Sequence, residues 1–436
     1  MVLHSAARLC DGRSWHGEGW VRVEDGAVAA WGLGAPPAGE AVEHHACLLP
    51  GLVDAHVHLT GFFDRVIRGD ALAPHRGCLA LLAEAGVGVV RDVGGHVEVA
   101  PTLAASADPG SPQIGWTGPV LDGTPVSAEA TRLILDTATA RHAVRMTAAE
   151  GAGWVHTGPA LSAELLAVVV AEAAANGLRV AHQPGRVDML TAAEIGVAGV
   201  QDLPMAGVLG DESPRSASDL IRAWSRPETR SRAEEAVAVL ARRGVALTPL
   251  LHSWRRACVL EEAVGEPRLE QVVPFAPFHQ YLLDMRGPGM VFGRRYARSY
   301  FGYEQLKGRA KDEFESGWQA LLDCLAAAHR SGVMLLPGSD ALGLSLVPGF
   351  ALHGELAWWE RAGLPRAEVL LLATGSAGYL LGSDAACWEA GVLALPADPL
   401  EAPALALALA TPVFLAPPAA RPTAAQSEPP MQEAAR

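Results

Sequence analysis

The chain has 436 residues, half of them hydrophobic, enough for one large domain with a smaller appendage. Its formal charge of −14 argues against nucleic acid or an anionic membrane as a partner. The opening MVLHSAARLCDG lacks the basic and apolar regions of a secretory signal, and ALALALATPVFL is too short for a span of ~20 residues. Six dispersed cysteines with no CxxC pair read as reduced thiols, so a cytoplasmic location is expected.

Residues 1–49 read as short strands, with EDG at 24–26 as a hairpin turn. From residue 50 to 384, apolar runs of four to six residues alternate with Ala/Leu/Glu stretches. The pattern predicts helices over 76–85, near 129–150, and over 162–176, 188–196 and 312–330. Such alternation means a parallel sheet covered by helices, and eight units would close a (β/α)8 TIM barrel. An insertion at about 255–311 breaks the rhythm. It carries Tyr281, Tyr296, Tyr300 and Tyr303 among Arg286, Arg294, Arg295 and Arg298. Two readings stand: helices packing aromatics on the barrel, or a lid whose Arg294, Arg295 and Arg298 bind substrate. Residues 385–416 return to period-2 alternation and would complete the small sheet. The Pro/Ala-rich tail at 417–436 is expected to be disordered.

The chemistry concentrates in PGLVDAHVHLTG, residues 50–61. Alternate residues of a strand share a face, so His56 and His58 project together, at a spacing suited to two imidazoles on one ion. His156, His182 and Asp340 also end strand-like runs. LLPGLVDAHVHLTG resembles the first barrel strand of the metal-dependent amidohydrolase superfamily, in its imidazolonepropionase and prolidase-like branch. The resemblance covers nearly the whole chain. GWVRVEDGAVAAWG is similar to that family's β-sandwich hairpin, LLAEAGVGVVRDVGG to its second strand with Arg91 and Asp92, and SGVMLLPGSDALG to its eighth strand with Asp340. It implies a small β-sandwich formed by residues 1–49 and 385–416.

The departures are informative. Where the family often carries a bridging lysine on the fourth strand, this chain has His156, and its only lysines are Lys307 and Lys311. Where a sixth-strand histidine is usual, QDLPMAG offers Met205 and Asp202. The resemblance therefore implies one divalent ion, Zn2+ foremost, rather than two. His56, His58 and Asp340 form the core of its site, and His182 or His156 supplies the fourth ligand. Asp340 is the expected base. His252 and His96 are expected to contact substrate. The expected activity is hydrolysis of an amide C–N bond on a modified peptide or other sizeable specialised metabolite, as in follower-peptide removal in bottromycin-like pathways. A small cyclic-amide hydrolase or deaminase, and a metal-poor pseudoenzyme binding a ligand or partner, are the alternatives. The expected partner is a small-molecule or modified-peptide substrate, with a homo-oligomer left open.

Overall fold

The structure is a computed structural model. It describes residues 1–61, 71–96, 98–105, 110–125, 131–208, 216–274, 276, 279–287, 303–304, 306–343, 345–381, 387–405, 409 and 411–418. Arg294, Arg295 and Arg298, with Tyr296 and Tyr300, lie outside the described residues.

The first five strands are β1 (Val2–Cys10), β2 (Trp15–His16), β3 (Gly19–Glu24), β4 (Ala27–Leu33) and β5 (Val42–Pro50). Then come β6 (Leu52–Val57), β7 (Val87–Asp92), β8 (Gln113–Trp116), β9 (Val120–Asp122) and β10 (Thr131–Leu133). The series continues with β11 (Trp154–Thr157), β12 (Arg179–His182), β13 (Gly199–Gln201) and β14 (Ala246–Thr248). It ends with β15 (Val392–Leu395) and β16 (Val413–Ala416).

The two ends of the chain share one seven-stranded sheet, ordered β16-β15-β5-β1-β3-β4 with β2 beside β1. The EDG turn forms as expected. Asp25 and Gly26 take φ of 50° and 78°, the left-handed pair that a tight hairpin between β3 and β4 requires. The middle of the chain forms two parallel sheets, β6-β7-β8 and β10-β9-β11-β12-β13-β14. Leu335 bridges Leu247 of β14 and Ala341 bridges Val57 of β6, both in parallel sense. The segment 335–341 thus touches an edge strand of each sheet.

Strand phase sorts the core. Val155, Val180, Val200 and Leu247 join the large cluster that includes Leu79, Leu82, Val144, Leu166 and Val169 from the covering helices. The intervening Val53, Ala55, Val89, Trp154, Ala181, Ala246 and Leu336 form a second cluster, on the face turned away from those helices. Both faces are apolar, which is why these strands read as continuous hydrophobic runs.

The predicted helices occur as Ala73–Glu84, Thr137–Ala149, Ala163–Ala175, Met189–Ile195 and Arg309–Arg330. Three begin at a capping residue, with Asp136, Ser162 and Asp188 accepting an N–H of the first turn. One expectation fails. VALTPLLHS is not one strand: Leu250 adopts φ 57°, and Leu251–Cys258 is helical. In the C-terminal alternation, β16 pairs with β15 in the sheet of the chain ends, and Leu405 and Leu409 are buried in the main cluster, while residues 406–408 and 410 lie outside the described residues. Among the described residues no helix is long and apolar enough to cross a membrane.

The described half of the insertion is helical, as Leu260–Val264, Leu269–Val272 and Gln280–Asp284. Leu260, Val264, Leu269, Leu282, Met285 and Tyr303 are all buried in the main core. Arg286 donates to the carbonyls of Val264 (2.8 Å) and Glu266, so it fastens the insertion to itself.

Candidate metal centre

The HVH pair stands at the end of β6, where the pairing with β7 slips between Asp54 and Val57. Val53 and Ala55 belong to the inner cluster and Val57 to the outer one. The slip re-phases the strand, so His56 and His58 flank an outward Val57. The turn beyond is clamped by Asp92, which accepts from Leu59 N (2.7 Å), Thr60 N (3.3 Å) and Thr60 Oγ1 (2.5 Å). Asp340 arrives on the bridging segment. Its N–H donates to His56 O at 2.8 Å, while Asp54 Oδ1 accepts from Ser339 N (2.9 Å) and His56 N (3.3 Å). Gly338 permits this approach: a Cβ there would lie 2.9 Å from His56 Cβ and 2.6 Å from Thr248 Cγ2.

Three ligand atoms converge. His56 Nε2 and His58 Nε2 are 3.3 Å apart, and Asp340 Oδ1 lies 3.0 Å from His58 Nε2 and 3.5 Å from His56 Nε2. A tetrahedral ion with bonds of ~2.0–2.1 Å separates its ligands by about 3.4 Å. The donors fit a divalent ion in composition and spacing. His58 Nδ1 sits 2.8 Å from Val93 O, so it carries the proton and leaves Nε2 free to ligate. Ser253 Oγ donates to Asp340 Oδ2 at 2.5 Å, the backing that a ligating carboxylate needs.

The charges follow from burial and from each other. Burial, with the nearby His58, holds His56 down to about 3. Burial also pulls His58 down, but the Asp340 hydrogen bond and charge outweigh it and the net shift is upward. For Asp340, burial pushes up, and the His58 hydrogen bond with the charges of both histidines brings it below the usual carboxylate range. Asp202 is different: burial raises it to about 7 against the hydrogen bond from Trp254 Nε1 (2.8 Å), and the Asp340 charge adds to the rise.

Asp202, Leu250 and Asp340 all have positive φ (64°, 57° and 59°): Asp202 directly follows β13, Leu250 lies two residues beyond β14, and Asp340 is on the bridging segment. Left-handed conformation costs a non-glycine residue on the order of 1–2 kcal/mol, and such strain gathers at functional sites.

The remaining candidates separate. His156 faces inward with Trp154, its ring 6.2 Å from that of His56, and Gln201 Nε2 lies 3.3 Å from its Nε2. Burial, then His56 and Arg91, keep it well below the usual histidine range. His182 is not brought to the group. Ala181 occupies the inward phase, so His182 turns outward, where its nitrogens meet Thr157 Oγ1 (2.8 Å) and Val187 O (3.2 Å). His252 lies on the Leu251–Cys258 helix, with Arg256 Nε donating to its Nε2 at 3.3 Å and its ring packed where a Cβ on Gly354 would sit. His96 donates its backbone N–H to Thr60 Oγ1 at 3.0 Å, in the loop after β7. Sequence reasoning missed Ser253, Gln201 and Asp54. Asp54 alone left a signal, as a carboxylate inside an apolar strand.

A scan against protein-family models finds no match, and a search of curated protein sequences finds none either. Solved structures do match. A bottromycin amidohydrolase aligns with a TM-score of 0.65 at 22% identity, covering 94% of this chain and 84% of that one. A Xaa-Pro dipeptidase with bound methionine in its active site aligns at 0.61 and 17%, covering 94% and 97%. The A. niger ochratoxinase aligns at 0.62 and 16%, covering 94% and 93%. At these identities the likeness establishes the fold: this chain has the fold of the prolidase-like and amidohydrolase structures.

Proposed function

We propose that the chain is a metal-dependent hydrolase of an amide C–N bond, acting on a modified peptide or comparably sized metabolite. The observation that carries this reading is the convergence of His56 Nε2, His58 Nε2 and Asp340 Oδ1 at 3.0–3.5 Å. The two parallel sheets and the segment 335–341 that touches both support a (β/α)8 barrel, with this triad at the C-terminal strand ends where such barrels work. The terminal segments would form the accompanying β-sandwich. The ion is single and Zn2+ foremost, since two imidazoles and a carboxylate suit it. When bound, it supplies Lewis acidity toward a carbonyl and acidifies water.

The chain's own groups complete the chemistry. Asp340 is held ionised beside His58, so it can accept a proton from an attacking water and pass it toward the leaving nitrogen. Ser253 orients that carboxylate. His156 stays neutral, offering a substrate contact or a further ligand rather than a bridging charge. His252 and His96, if they meet substrate, do so at the rim. The insertion at about 255–311, through Arg294, Arg295 and Arg298, would recognise the larger part of the substrate. The names of the similar structures, an amidohydrolase of bottromycin, a dipeptidase and an ochratoxinase, favour peptide-derived amides over small rings. The buried thiols Cys10, Cys47, Cys78, Cys258 and Cys324, none in a disulfide, suit the reducing cytoplasm.

Reconstitution tests it. Metal-stripped protein should regain hydrolysis of peptide-derived amides with one equivalent of Zn2+, and His58→Asn should not. Equal turnover with and without chelator would overturn the reading.

A further inference from the structure

A second group of metal-type ligands lies far from this chemistry, on the sheet shared by the chain ends. Strands β1 and β5 run parallel, with His4 opposite Glu43 and Ala6 opposite His45. His4, Glu43 and His45 therefore share a face, while Ser5 and His44 bond each other at 2.7 Å from the alternate phase. His4 Nδ1 lies 3.1 Å from His45 Nε2 and 3.4 Å from Glu43 Oε2, and all three ligand atoms fall within 4.8 Å of one another. These separations approach the about 3.4 Å between ligands of a tetrahedral ion.

We propose that His4, Glu43 and His45 form a second divalent transition-metal site, which staples the first strand to the strand leading into the HVH motif. Two imidazoles and one carboxylate select Zn2+, Ni2+ or Cu2+ over Mg2+ or Ca2+. His4 is buried, and its Nδ1 is the atom shared by both contacts, whereas Glu43 is 63% exposed. The ion would enter from the solvent side and keep water at its open position. Burial lowers both imidazoles from their ordinary value, so the ion meets neutral rings near pH 7 and displaces few protons. The exposed carboxylate makes this the weaker of the two sites. Its role is mechanical, because β5 runs through Pro50 and Gly51 directly into β6.

Equilibrium dialysis of the full chain against Zn2+ tests this without reference to any reaction. The wild type should saturate with two ions per chain. His45→Gln and Glu43→Gln should each lose the weaker ion, raising its Kd at least tenfold, and keep the tighter one. His16→Gln, which alters a separate half-buried histidine paired with Asp11, should keep both. Zn2+ beyond the first equivalent should raise the melting temperature of the wild type but not of His45→Gln. Loss of the second ion in neither His45→Gln nor Glu43→Gln, or an equal loss in His16→Gln, overturns the proposal.

Discussion

Two triads of two histidines and one carboxylate stand in this molecule, with nearly the same donor spacing and very different surroundings. At the strand ends, His56 is 3% exposed, and the other two members have side-chain partners outside the triad. His58 bonds Val93 O, Asp340 receives Ser253, and Asp54 joins the two segments that carry them. In the small sheet, the side chains of His4, Glu43 and His45 are, among the described residues, hydrogen-bonded or ion-paired only to one another. Their carboxylate stands mostly in water. Ligand identity alone thus distinguishes nothing; what differs is the backing of each ligand and the strain beside it. Asp340 pays for its position with a left-handed backbone, whereas β1 and β5 are ordinary extended strands.

The comparison breaks most readily at the carboxylates. Asp340→Asn should reduce kcat by ~10²–10⁴-fold, as expected when a general base becomes an amide that cannot accept a proton. Glu43→Gln should leave kcat within about twofold. Circular dichroism should show both variants folded. Retention of more than a tenth of kcat by Asp340→Asn would remove it from the base role and level the two triads.

Much of this was legible from sequence, and the limits are physical. Period-2 alternation correctly paired His56 with His58, and the apolar runs flanked by Ala/Leu/Glu stretches gave the parallel strands and their helices. The same rule, applied without a known phase, failed at β12. His182 ends an apolar run as His156 does, and the two strands are adjacent, yet Ala181 takes the inner position and His182 faces the helices. Phase depends on register with neighbouring strands, which a single run of residues does not encode. Ser253 was invisible for another reason. It follows Leu250, whose left-handed turn converts an expected strand into a helix start, and nothing local to TPLLHS announces that turn. Gly338, by contrast, is a plain glycine on the bridging segment whose absence of side chain lets His56 sit where it does.

The difference in backing gives the next effect. Ser253→Ala removes the hydroxyl from Asp340 Oδ2 without touching a ligand. Loss of such a supporting hydrogen bond typically costs 10–100-fold in metal affinity or activity. Zn2+ competition with a chromophoric chelator should show that drop at the tight site. Ser5→Ala, which severs the bond to His44 on the opposite phase, should change neither ion's Kd by more than about twofold. Equal effects of the two serines would mean that backing is not what separates the triads.

The smallest effect is the sign of the pH dependence in protein stripped of metal. The His58 value is raised above 6.5 in the folded state, because Asp340 outweighs burial. Its stabilisation is therefore fully present below pH 6.5 and is lost as pH rises through the raised folded value. Asp340, shifted downward, contributes as long as pH stays above the carboxylate range, so the pair is strongest near pH 5–6. His4 and His45 are shifted the other way, by burial first, with His45 adding to the fall at His4 and His44 to the fall at His45 against the opposing Glu43 charge. Their contribution is present above pH 6.5 and is lost as pH falls through the lowered folded values. Thermal melts with chelator at pH 5.5, 6.5, 7.5 and 8.5 should therefore diverge. The melting-temperature deficit of Asp340→Asn should shrink as pH rises, and the deficit of His45→Gln should shrink as pH falls. Parallel trends would show that both triads respond to burial alone, and that the Asp340–His58 contact does not hold a charge in the absence of an ion.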